Sequence, residues 1–103
     1  MVSDAQKKRI FEVLSLVNYD KAILFGSRAR GSFNVYSDFD LLVILSEHIS
    51  LVEKIRLAAL LRRCFASNFM DVDIIIKNKE DIKYLEDKPG SIVRNALREG
   101  ITL

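Results

Sequence analysis

Disulfides, histidine clusters, long apolar runs and a strong charge of either sign are all missing from this sequence. Its 103 residues hold one cysteine and one histidine. Cys64 cannot close a bridge within the chain, so the fold does not depend on an oxidising environment. It lies in an apolar, helix-like run and reads as a core residue. His48 has no second histidine with which to build a metal site and reads as a loop residue. The net charge is only +2, and no basic stripe runs along the chain, so direct nucleic-acid binding is not expected. The longest apolar runs, Leu41 to Leu45 and Leu57 to Leu61, are far too short to cross a bilayer. Met1 to Arg9 lack the apolar centre of a signal peptide. A cytoplasmic protein is the expectation.

What is present describes a folded chain. Half of the residues are hydrophobic and 29% are charged, which is globular composition. The length predicts one domain, 1–103, with a single core close to the size at which stability becomes marginal. An exposed apolar face left for a partner would fit such a chain.

The pattern alternates helix and strand. Ser3 with Gln6 forms a capping box before Ile10, Val13, Leu14 and Val17 at helical spacing. Asn18-Tyr19-Asp20 reads as a turn, and Ala22 to Phe25 as a strand ending at Gly26. Ser27 to Arg30 predicts a short helical turn closed by Gly31, with Ser32 to Ser37 a polar loop. Asp38 to Leu45 is a buried strand. Ser50 and Glu53 cap a helix carrying Val52, Ile55, Ala59 and Arg63, broken at Asn68. Met70 to Ile76 is a β-branched strand. Lys79 to Leu85 is a short helix stopped by Asp87-Lys88-Pro89-Gly90. Ser91 to Glu99 is a last helix with Ile92, Ala96 and Leu97 on its apolar face, ended by Gly100. The fold expected is α/β (α+β), a small mixed sheet of three or four strands with flanking helices.

The chemistry concentrates in Gly26-Ser27-Arg28-Ala29-Arg30-Gly31 and Ser37-Asp38-Phe39-Asp40. Strand residues two apart share a side, so Asp38 and Asp40 present both carboxylates together. Asp71 and Asp73 open a later strand in the same way. Like charges about 4 Å apart repel by roughly 4 kcal/mol at an effective dielectric near 20. A divalent cation removes that penalty. Magnesium takes a few carboxylates plus phosphate oxygens, and two ions can clamp an in-line phosphoryl displacement. A Gly-Ser turn after a strand can offer backbone N–H groups to phosphate. Each feature alone has a plain structural explanation, a turn or a strand cap. Together they describe a metal and triphosphate site. A P-loop is a poorer match, because Ser32 stands where the phosphate-binding lysine belongs.

Gly26-Ser27 followed by ten residues and then Asp38-Phe39-Asp40 resembles the signature of the DNA polymerase beta-like nucleotidyltransferase superfamily. The string GSRARGSFNVYSDFDLLVI is similar to its smallest branch, the minimal nucleotidyltransferases paired with HEPN proteins in toxin–antitoxin modules. Val72-Asp73-Ile74-Ile75 matches the branch's third carboxylate, and the likeness is good from Lys21 to Ile76 and loose elsewhere. It implies Mg2+-dependent transfer of a nucleoside monophosphate, AMP from ATP in this branch, to a hydroxyl, with pyrophosphate released. Asp38 and Asp40 become metal ligands, and Asp73, preferred over Asp71 because it lies in the strand proper, takes the third role. Gly26 and Ser27 become phosphate contacts. Arg28, Arg30 and Ser37 are further candidate nucleotide contacts, each with a plain alternative: solvated arginines and a turn serine. Tyr19 and Tyr84 read as packing or surface residues, while Tyr36 lies in the site loop. No segment is seen to hold an acceptor, so a partner is expected to supply it, and the resemblance implies that this partner is a HEPN-type toxin. Neutralisation of that partner by binding alone and transfer onto a small molecule are the alternatives.

Overall fold

The computed structural model describes residues 2–31 and 38–103. Ser37 and Tyr36, with the rest of the predicted loop 32–37, lie outside the described residues. The elements run α1 (Asp4–Leu14), β1 (Tyr19–Phe25), α2 (Ser27–Arg30), β2 (Phe39–Leu45), α3 (Leu51–Ser67), β3 (Val72–Asn78), α4 (Lys79–Leu85), α5 (Ile92–Glu99) and β4 (Ile101–Thr102).

The strands form one sheet in the order β3-β2-β1-β4. β1 is antiparallel to β2 and to β4, whereas β2 and β3 are parallel. The mixed sheet with flanking helices is the expected fold. Parallel neighbours need a crossover, and α3 supplies it. β2 is central in this arrangement, and its run Phe39-Asp40-Leu41-Leu42-Val43-Ile44-Leu45 is apolar on both faces except at Asp40, as a doubly covered strand must be. On one face Phe39, Leu41, Val43 and Leu45 meet Ile10 and Leu14 of α1 and Leu61 and Phe65 of α3. On the other, Leu42 and Ile44 meet Ile23 of β1 and Ala96 of α5.

Local chemistry sets the element ends. Ser3 Oγ accepts from the Gln6 N–H while Gln6 Oε1 accepts from the Ser3 N–H, closing the predicted box at 3.1 and 3.0 Å. At α3 only half of the expected box forms. Ser50 Oγ accepts from the Glu53 N–H, but its hydroxyl donates to the Glu53 carboxylate, which keeps that carboxylate at the serine hydroxyl. A further box, Asn78 with Asp81, starts α4.

Four sequence-based expectations are corrected. β1 begins at Tyr19, so Tyr19 and Asp20 belong to the strand, where Tyr19 pairs with Leu45 across a bulge. The third strand runs from Val72 to Asn78, later than Met70 to Ile76. On α3, Val52 and Ile55 are 55% and 61% exposed. The buried stripe is Leu57, Ala58, Leu61, Cys64 and Phe65; α3 carries two apolar stripes, and the sheet takes the one with the bulkier Phe65 and Leu61. On α5, Val93 and Ala96 are buried and Ile92 faces out. Its rotation is set at Gly100, where any side chain would overlap the Ala96 carbonyl oxygen and Ile23.

Candidate active site

Register builds the centre of the site. Asp40 and Asp73 are directly paired residues on the parallel strands β2 and β3, so both side chains rise from the same sheet face on strands about 4.8 Å apart. Phe25, the last residue of β1, is the partner of Asp40 on the other side. The chain then turns at Gly26, which brings the turn directly against Asp40.

Gly26 has φ 74° and ψ −156°, a conformation that only glycine adopts without strain. A Cβ at this position would overlap Asp40 Oδ2. The missing side chain is thus doubly required, by the backbone angle and by the carboxylate packed in its place. Ser27 opens the four-residue helix α2, whose Ala29 and Arg30 N–H groups donate to the Gly26 carbonyl at 3.1 Å each. Gly31, at φ 78°, ends it.

The electrostatics of Asp40 report its surroundings. Burial pushes its carboxyl above the ordinary value, and the charges of Asp73 and Asp38 push it further; Arg30 acts the other way. The Asp71 backbone carbonyl accepts from the Phe39 N–H at 3.0 Å. Asp38 and Asp73 are exposed, Asp40 half-buried. Among the described residues no three His, Cys, Asp or Glu side chains stand as a ready metal-holding group. The charges of Asp73 and Asp38 nevertheless both reach Asp40. As a donor set the carboxylates fit a hard divalent cation, with oxygen ligands on adjacent strand ends open to solvent.

The two arginines separate. Arg28 is buried, at 7% exposure, with its guanidinium 4.2 Å from the centre of the Phe39 ring. That position excludes the solvated-arginine alternative, and it braces the strand start between Asp38 and Asp40. Arg30 is exposed and forms a 3.6 Å ion pair with Glu99 of α5. A cleft of about 500 Å³ opens beside the carboxylates, lined by Asp38, Asp71, Asp73, Met70 and the α3 residues Arg62 and Arg63. Sequence reasoning passed over this arginine pair; two adjacent cations at a helix end shortly before a D-x-D step were the available signal.

Residues 8–103 match the family model described as Polymerase beta, Nucleotidyltransferase. The chain belongs to this nucleotidyltransferase family. A solved candidate minimal nucleotidyltransferase is similar to it at 30% identity and a TM-score of 0.64, covering 100% of this chain and 97% of the other. A toxin–antitoxin structure with AMP-PNP is similar in fold at 20% identity and a TM-score of 0.61, covering 93% of this chain and 70% of that one. So is a structure of the tri-AMPylated Shewanella oneidensis HEPN toxin in complex with its MNT antitoxin, at 18% identity and a TM-score of 0.55, covering 93% and 66%. No curated protein matches the chain significantly. Among the described residues of this nucleotidyltransferase, no helix is long and apolar enough to cross a membrane.

Proposed function

We propose that this nucleotidyltransferase moves AMP from ATP to a hydroxyl of a partner protein, and that the partner is a HEPN-type toxin which the modification silences. The observation that carries the reading is Asp40 packed into the Gly26 turn and charge-coupled to both Asp73 and Asp38. It joins a glycine turn to a carboxylate set in one place. The fold it shares with the AMP-PNP-containing toxin–antitoxin structure and with the antitoxin bound to an AMPylated HEPN toxin supports the choice of nucleotide and partner.

Asp38, Asp40 and Asp73 would hold Mg2+, in two ions, which when bound neutralise the triphosphate and polarise the α-phosphate. The Gly26-Ser27 turn would offer its backbone N–H groups to phosphate beside the Asp40 carboxylate. Arg30 can exchange Glu99 for a phosphate oxygen, a stronger partner for a guanidinium. Arg28 acts at one remove, holding Phe39 and hence the two aspartates beside it. Asp73 receives the proton of the acceptor hydroxyl as its oxygen bonds to the α-phosphorus. The bond from that phosphorus to the bridging oxygen breaks, and pyrophosphate leaves with the electron pair.

The test is incubation with a HEPN-type partner protein, ATP and Mg2+, read by intact-mass spectrometry. An AMP adduct on the partner, absent with an Asp38→Ala/Asp40→Ala variant, is the expected result. No adduct, with the toxin still neutralised by that variant, replaces transfer with inhibition by binding alone.

A further inference from the structure

The open edge of the sheet carries the strongest unassigned feature. β3 pairs only with β2 among the described strands. A groove of about 530 Å³ runs beside it, lined by the consecutive residues Ile74, Ile75, Ile76 and Lys77 together with Ile55 and Arg62 of α3. Successive strand residues point to opposite faces. Four in a row can line one groove only if it follows the strand's edge, where unpaired backbone groups lie.

Three further observations say what fits there. The groove and the cleft that holds Asp38 and Asp73 adjoin at Arg62, which lines both. Its cations Lys54, Lys77 and Arg62 outnumber its one acid, Asp81, which is already paired with Lys54 at 2.6 Å, so the excess lies along the groove, while Asp38, Asp71 and Asp73 outnumber Arg62 and Arg63 at the cleft end. Phe69, next to the cleft residue Met70, is 95% exposed and holds φ 60°. The Phe69 and Met70 N–H groups donate to the Ala66 and Phe65 carbonyls, the Schellman ending of α3, whose left-handed position normally belongs to glycine. An aromatic ring there costs conformational energy and gains no packing within the chain.

We propose that the acceptor enters as an extended, acidic segment that adds a strand to the open edge of β3. Its backbone pairs with β3, its acidic side chains meet Lys77 and Arg62 along the groove, and its hydroxyl-bearing end packs on Phe69 beside Asp73. Strand addition takes affinity from main-chain hydrogen bonds and specificity from alternate side chains. The inference rests on the nucleotidyl-transfer reading and names the acceptor's form.

Two synthetic peptides test it, each with one tyrosine in a valine-rich strand, one with glutamate flanks and one with lysine flanks. Binding to the full chain is followed by fluorescence anisotropy, with Mg2+–ATP affinity measured in parallel by calorimetry. The acidic peptide should bind tighter by on the order of fivefold to tenfold, as two or three rim charge pairs supply. Arg62→Glu/Lys77→Glu should reverse that order, and Lys77→Glu alone, away from the cleft, should weaken it with ATP affinity unchanged. Methylating alternate peptide nitrogens should abolish binding. Phe69→Gly should weaken the peptide while the melting temperature holds or rises. Equal binding of the two peptides, binding of neither, or indifference to N-methylation overturns the proposal. So does a dimer of the chain that Arg62→Glu/Lys77→Glu dissociates, which would give the edge to a second copy. Failure of the transfer reading shows separately, as no AMP adduct on the HEPN-type partner by intact-mass spectrometry.

Discussion

Gly26 and Asp40 share one space. Because the carboxylate fills the volume of a Cβ and φ is 74°, Gly26→Ala meets both penalties at once. A backbone held in this region costs about 1–3 kcal/mol for a non-glycine residue, and Asp40 must also be displaced. Chemical denaturation should show a loss of that size, with ATP affinity falling alongside it. Asp40 itself trades stability for function. Its native carboxyl holds its proton more tightly than in the unfolded chain, so the native state gains protons above the ordinary value of 3.8. Stability therefore falls as pH rises through the range just above 3.8, then levels off. Asp40→Asn removes this loss and should melt higher than wild type at pH 7, while transfer drops by about a hundredfold or more. Added Mg2+ should raise the wild-type melting temperature and shift the variant less. The side-by-side aspartates could be read from the sequence, because alternation along a strand is a local property. The seat of Asp40 behind Gly26 could not, since it depends on the register between β1 and β2. Nor could the burial of Arg28 on Phe39, which needs the fold around it.

At the scale of elements, α3 and α4 are tied through Asp81. Burial pushes this carboxyl up, but hydrogen bonds from Lys54 and the Asn78 N–H, with the charges of Lys54 and Lys77, outweigh it and hold it below its ordinary value. Asp81→Ala removes the far half of the α4 capping box and the 2.6 Å bond from Lys54. A cost of about 1 kcal/mol is expected near neutral pH, since the pair is partly open to water. The sign follows from the depressed value: the contribution is present above 3.8 and vanishes as pH falls through the lower native value. Urea melts of both chains should therefore converge in acid. The helices and the three long strands were legible because their caps and apolar runs are local. The buried face of α3 was not, because Val52 and Ile55 fit helical spacing as well as Leu61 and Phe65 do, and only the sheet chooses between them. β4 was invisible: Ile101 and Thr102 are a strand solely by pairing with Leu24 and Ile23.

For the whole molecule, the site depends on one alignment, Asp40 opposite Asp73, across a crossover that includes all of α3. Ser46 and Glu47, just after β2, are exposed, whereas His48 bonds Asn78 at 2.9 Å and Ile49 packs on the core. One alanine inserted between Ser46 and Glu47 should leave transfer within about twofold of wild type, as loop lengthening costs little. The same insertion between Asp73 and Ile74 should abolish transfer, because Ile74 and Ile76 stay anchored in the core and Asp73 is moved to the opposite face. Mass spectrometry of the partner distinguishes the two. Descent would accordingly constrain parity and leave distance free: related chains can lengthen or shorten the stretch between these aspartates, provided each keeps its place in its own strand. A profile that recognises each strand separately would find such relatives where a fixed-spacing pattern would miss them.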